Sequence, residues 1–196
     1  MTEINLIRAY LFRGQGMIAL VQTDVLNSTY LEKKMGTTAW KKLLKKHFER
    51  ARFYKRRYGG AEVKRIGDSI MIAFPTADRA LRFALEFERD TGNPLILIRT
   101  GINVGTVQLI GEEICGLMIN YLARMLNVKE QSGIIFTQAA KRNIENQLGA
   151  EIEDLGQIRF FPHRPLRGFE DDEQVLYEIV DLGIEMEPSK RLAKPA

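Results

Sequence analysis

The most regular hydrophobic signal lies between Thr37 and Tyr58. There Trp40, Leu43, Leu44, His47, Phe48, Ala51, Tyr54 and Tyr58 recur at intervals of three and four. That period puts them on one stripe of a helix. At about 1.5 Å per residue the helix spans on the order of 30 Å, enough to cross one face of a sheet. Gly59-Gly60 stops it. Upstream, residues 17–23 form an apolar run that reads as a strand. Ser28 or Thr29 then opens a short helix that Gly36 ends, and Thr37 or Thr38 caps the long one. Downstream, residues 61–66 and 69–74 predict an antiparallel hairpin around Gly67-Asp68. Pro75-Thr76 starts a helix with Ala77, Ala80, Leu81, Ala84 and Leu85 inward, closed by Gly92-Asn93-Pro94. Residues 95–104 and 107–110 predict a second hairpin through Gly105-Thr106, followed by a helix over about 115–127. A short buried strand (133–136), a helix capped by Thr137 and a last strand (175–180) complete the series.

Strands and helices mixed with embedded hairpins predict an α+β fold, with helices packed on one face of a mainly antiparallel sheet. The organisation expected is an N-terminal extension (1–16), one domain (17–180) and a tail (181–196) that reads as disordered after Met186. With 196 residues, 45% of them hydrophobic, there is apolar material for one real core. No apolar stretch reaches the roughly 20 residues that span a bilayer, and the N-terminus lacks a signal-peptide core, so a cytoplasmic location is expected. Cys115 is the single cysteine, which excludes an intrachain disulfide and a thiolate metal cluster.

Charge changes the picture modestly. The net charge is +4, and much of it lies on Lys41-Lys42, Lys45-Lys46, Arg50, Arg52 and Lys55-Arg56-Arg57. A solvated helix face is the commoner meaning of such a run; nucleic acid or an anionic membrane is the other. No RNA-recognition-type aromatic sheet motif is present, and no nucleic-acid partner is expected.

Two acidic residues carry more information. Asp24 follows the apolar run and Asp68 ends Lys64-Arg65-Ile66-Gly67-Asp68, so each carboxylate sits where a strand runs into a turn. Hard divalent cations take oxygen ligands, and two such carboxylates suit a pair of Mg²⁺ ions. Asp after a strand is more often only a turn former or helix cap. Its neighbours decide.

Thr23-Asp24-Val25-Leu26-Asn27-Ser28-Thr29, residues 62–69, Arg99-Thr100-Gly101-Ile102-Asn103-Val104-Gly105, residues 116–124 and Leu166-Arg167-Gly168 arrive in order. Together, over roughly residues 14–180, they resemble the catalytic domain of class III nucleotidyl cyclases, the adenylate and guanylate cyclases, in their bacterial form. The resemblance implies a ferredoxin-like core. It also implies Asp24, Asp68 and Val25 as ligands of two Mg²⁺ or Mn²⁺ ions per site. Residues 25–29 (Val25, Leu26, Asn27, Ser28, Thr29) would offer backbone N–H groups to a triphosphate at a helix start, where the dipole favours anions.

By the same resemblance Lys64 reads the purine, and Glu113 takes the partner position that is usually Asp or Thr in adenylate cyclases and Cys in guanylate cyclases. Lys64 favours adenine; Glu113 is one methylene longer than Asp. Asn120 would orient the ribose and Arg124 would meet charge building at the α-phosphate, two residues four apart on one helix face. Tyr121 and Leu122 are bulkier than the small residues common there and bear on the pocket or a dimer interface. Arg167 stands where a phosphate-binding lysine is usual. His47 reads as a satisfied core or interface histidine, His163 has no evident partner, and Arg99 reads as a strand brace.

The function implied is cyclisation of a nucleoside triphosphate, ATP preferred, by attack of the ribose 3′-hydroxyl on the α-phosphate at a head-to-tail homodimer interface. A catalytically weak homologue acting as a nucleotide-binding regulatory module is the alternative. Residues 1–16 and 181–196 are too short for a sensor domain, so the regulatory input is expected from an unidentified partner protein, a small ligand or metal, or a domain outside this sequence.

Overall fold

The computed structural model describes residues 2–14, 16–170 and 175–180. The expected tail, residues 181–196, lies outside them. A helix not foreseen in the N-terminal extension, α1 (Glu3–Arg13), precedes β1 (Met17–Val25). Then come α2 (Ser28–Met35), α3 (Thr37–Arg57), the hairpin β2 (Ala61–Ile66) and β3 (Ser69–Phe74), and α4 (Ala77–Arg89). After β4 (Ile98–Thr106) follow β5 (Gln108–Ile110), β6 (Glu113–Cys115), α5 (Leu117–Val128), β7 (Gly133–Thr137) and α6 (Gln138–Leu148). The short α7 (Ile152–Leu155), β8 (Gln157–Phe160) and β9 (Leu176–Val180) close the chain.

Seven strands form one sheet in the order β2-β3-β1-β4-β7-β9-β8. Every neighbouring pair is antiparallel except β4 with β7. The expected hairpin joining β4 to residues 107–110 does not form. Strand β4 stays in the sheet between β1 and β7, whereas β5 leaves it to make a separate two-stranded ribbon with β6. Alternating apolar residues around Gly105 cannot by themselves show which partner a strand takes.

The helices cover both faces, not one. Side chains alternate across a strand, so Ala19, Val21 and Val25 of β1 join Ile70, Ile72 and Phe74 of β3 in a core roofed by α3, α4 and α6. Ile18 and Leu20 join Met71 and Ala73 in a second core, covered by α1 through Ile7 and Tyr10 and by α5 through Ile119, Leu122 and Met125. Helix α5 lies close to the sheet because β4 presents glycine beneath it. A Cβ on Gly101 would come 3.0 Å from Leu122 Cδ1, and one on Gly105 2.9 Å from Met118 Sδ. No helix among the described residues is long and apolar enough to cross a membrane.

Candidate active site

Asp24 stands near the end of β1. By alternation it shares a face with Ile18 and Leu20, and directly opposite it in the ladder stands Arg99 of β4. Both side chains are about three-quarters covered. Arg99 Nε and Nη2 donate to the same Asp24 oxygen, Oδ2, at 2.9 and 2.6 Å, and Nη1 donates to the Lys129 carbonyl at 3.3 Å. Arg99 is therefore more than a strand brace: it is the cation on the first carboxylate. Sequence alone hides this, because the pairing depends on β1 and β4 being neighbours in a particular register.

Asp68 occupies the β2–β3 turn behind Gly67, whose φ of +59° is a conformation that favours glycine. Strand β3 borders β1, so the turn folds back on the end of β1, and Asp68 Oδ2 accepts the Val25 N–H at 3.0 Å. Burial raises the Asp24 pKa; the Arg99 bonds oppose this, and the negative charge of Asp68 adds to it. Two mutually repelling carboxylates thus lie together, and the Arg99 bonds go to Asp24. An excess of hard oxygen donors fits Mg²⁺ or Mn²⁺, although among the described residues no group of three or more His, Cys, Asp or Glu assembles. Mg²⁺ commonly uses one or two carboxylates and completes its shell with water and substrate phosphates.

The loop after β1 is less free than its sequence implies. The Val25 N–H goes to Asp68 and the Leu26 N–H to the Leu97 carbonyl at 2.9 Å. A triphosphate would have to compete with these partners for the Val25 and Leu26 N–H groups. Asn27, Ser28 and Thr29 remain, at the N-terminus of α2, with Asn27 in the left-handed region at φ 55°. Asn tolerates that conformation better than most residues.

Lys64 reaches the same sheet side through an irregularity. Counting alternately from Ala61 would send it toward α3. The ladder slips by one residue between Glu62 and Lys64, so Val63 bulges out and Lys64 lies opposite Met71, a residue of the second core. Bulges commonly re-aim a side chain. Glu113 sits on the β5–β6 ribbon, opposite Ile110, and both Glu113 and Lys64 are exposed. No described contact joins them within one chain.

On α5, Asn120 and Arg124 are exposed while Leu122 is fully buried against Gly101. Leu122 is therefore core and narrows neither a pocket nor an interface. Tyr121 packs edge-on against Phe169 at 5.0 Å, beside the loop whose Leu166 is buried and whose Arg167 is exposed. The histidines stay apart from this cluster. His47 is buried, its Nδ1 hydrogen bonds to the Thr91 carbonyl at 3.1 Å and its ring stacks on Phe87. Burial lowers its pKa to about 4 against a smaller opposing effect of that hydrogen bond. His163 Nδ1 bonds to the Arg164 carbonyl at 2.8 Å in its own loop.

No family model matches the chain. Over 73 residues it is 41% identical to an adenylate cyclase of Lachancea kluyveri, and over 66 residues 46% identical to an adenylate cyclase of Podospora anserina. These stretches are 37% and 34% of this chain but only 4% and 3% of those proteins. Solved structures extend the likeness to the whole domain. An adenylate cyclase from Trypanosoma brucei in its monomeric state superposes with a TM-score of 0.70 at 21% identity, covering 91% of this chain and 92% of that one. The catalytic core of a rhodopsin-guanylyl cyclase with converted specificity, in complex with ATPαS, gives 0.69 at 20% identity over 85% and 96%. The adenylyl cyclase CyaB from P. aeruginosa gives 0.68 at 22% over 84% and 94%. The chain has the catalytic-domain fold of the class III nucleotidyl cyclases.

Proposed function

We propose that the chain is a nucleotidyl cyclase that converts a nucleoside triphosphate, preferentially ATP, to its 3′,5′-cyclic monophosphate and pyrophosphate. What supports the reading most is one juxtaposition. Asp24, Lys64 and the helix carrying Asn120 and Arg124 lie on one side of the sheet, and Asp68 is folded onto the strand end that bears Asp24.

Asp24 and Asp68, with the Val25 carbonyl, would hold two divalent ions. Such ions, when bound, acidify the 3′-hydroxyl and neutralise the phosphates. The remaining work falls to the chain's own groups. The N–H groups of Asn27, Ser28 and Thr29 receive the triphosphate. Lys64 donates to a ring nitrogen of adenine, and Glu113 accepts from its amino group. Asn120 orients the ribose, and Arg124, a permanently charged fork, meets the charge that grows on the α-phosphate. Arg167 adds a phosphate contact. Positioning and charge account for the rate, since little covalent work is required.

Asn120 and Arg124 are exposed, as they must be to complete a partner's site in a head-to-tail homodimer. Complementation tests this. Asp24→Asn and Arg124→Ala should each lose turnover by at least about a hundredfold. Mixed together they should regain part of it, because one heterodimer site in two keeps both residues. Mixtures as inactive as their components would exclude shared sites. One observation favours a second reading, a nucleotide-binding module without turnover: the Arg99 guanidinium already engages Asp24. That module would bind ATP analogues and yield no cyclic product with Mn²⁺.

A further inference from the structure

We infer that the outward face of α3 is a docking surface for anionic lipid bilayers. This goes beyond the cyclase reading and does not depend on it. At 100° per residue, Lys41, Lys42, Lys45, Lys46, Glu49, Arg52, Phe53, Arg56 and Arg57 fall within an arc of about 160°. All nine are exposed, while Trp40, Leu43, His47, Phe48, Ala51, Tyr54 and Lys55 on the opposite arc are buried. The face therefore carries seven cations against one carboxylate. Two of the seven have local partners, Lys45 with Glu49 at 4.0 Å and Arg57 with Glu86 at 3.8 Å. Both pairs are long, and the cation of each is well exposed, so they leave the field almost intact.

Phe53 rises from the middle of this field, half exposed. It is held there: the Arg50 guanidinium lies 4.8 Å from its ring centre and the Tyr54 ring meets it edge-on at 5.1 Å. Arg50 is itself fixed by Asp90 and by the Tyr54 hydroxyl. An aromatic fixed among basic residues with long aliphatic stems suits the headgroup layer, where the ring enters and the stems snorkel.

The shape distinguishes a bilayer from a nucleic acid. Helix α3 lies along the body of the fold, its inner side packed on α4 and the sheet, and does not project as a groove-entering element does. One aromatic is not a stacking platform for bases. Because α3 and α5 cover opposite faces of the sheet, a chain docked through α3 leaves Asn120 and Arg124 turned away from the bilayer.

The test is co-sedimentation of the full chain with vesicles of phosphatidylcholine alone or containing about one-third phosphatidylserine, across a salt series. Binding should require the anionic lipid and weaken at least about tenfold from low to high salt. Each cation near such a surface contributes roughly fivefold, so Arg52→Glu with Arg56→Glu should weaken binding by at least about 25-fold, and Lys41→Glu with Lys45→Glu similarly. Phe53→Ala should cost about threefold to tenfold. The two double variants alter separate ends of the helix, and the wild-type salt series needs neither. Equal binding to neutral and anionic vesicles, salt-insensitive binding, or reversal variants that bind like wild type would overturn the inference. So would charge-dependent binding to duplex DNA without binding to anionic vesicles.

Discussion

Two side chains show how burial and charge set the behaviour of single groups. Arg99 neutralises Asp24 where both are only about a quarter exposed, side chains at 23% and 24%. Arg99→Gln leaves Asp24 beside Asp68 without a cation, at a cost of about 2 kcal/mol, discounted for partial exposure. That corresponds to a fall in melting temperature of roughly 4–8 °C for a domain of this size. If the carboxylates bind divalent ions, Mn²⁺ should raise the melting temperature of the variant more than that of wild type. Thermal melts with and without Mn²⁺ measure both effects, and a smaller Mn²⁺ effect in the variant would contradict the pairing of roles.

His47 makes the opposite kind of contribution. Its folded pKa, about 4, lies below its ordinary value of 6.5. Between these values the unfolded chain binds the proton that the folded chain refuses, so stability falls as pH drops from about 6.5 toward 4, by at most about 3 kcal/mol. His47→Asn keeps a donor for the Thr91 carbonyl but removes the titration. Urea denaturation of this variant should show lower absolute stability, from the lost stacking on Phe87, yet a flatter dependence on pH over that window. An unchanged slope would assign the pH dependence elsewhere.

At the scale of elements, the glycines of β4 set the height of α5 and therefore the placement of Asn120 and Arg124. Gly101→Val puts methyl groups into space held by Leu122, whose Cδ1 lies 3.0 Å from the added Cβ, and should destabilise the fold by about 2–3 kcal/mol. Leu122→Ala in the same chain reopens room, so the double variant should be more stable than the sum of the single effects, by about 1 kcal/mol. Additive effects in denaturation would show that α5 does not rest on Gly101. The hairpin β2–β3 and helices α2, α3, α4 and α6 were legible from periodicity and glycine stops, whereas the expected caps of α2 and α3 did not hold: Asn27 and Gly36 precede these helices and neither makes a side-chain cap bond. Thr137 does cap α6, its side chain accepting the Ala140 N–H at 3.2 Å.

What escaped sequence reasoning was non-local. The departure of β5 from the sheet, the helices on the second face and the Asp24–Arg99 pairing all depend on which strands are neighbours. The Val63 bulge is local in extent, yet only the partner strand reveals it. Apolar positions in α1 did not announce a helix because Ile7 and Tyr10 gain their burial from a sheet formed much later in the chain.

For the whole molecule, the two sheet faces differ in what they carry. One holds the large aromatic core beneath α3, α4 and α6, with a cationic exterior; the other assembles carboxylates, lysine and the exposed Asn120–Arg124 flank. Under the two proposals made above, one surface would serve attachment and the other chemistry. The most direct measurement is turnover of ATP, GTP, CTP and UTP with Mg²⁺ or Mn²⁺, with products identified by mass. Wild-type chain should form cyclic AMP and pyrophosphate faster than any other cyclic nucleotide, and Asp68→Asn should form none. No cyclic product from any of the four, or an undiminished rate in Asp68→Asn, would contradict the cyclase assignment.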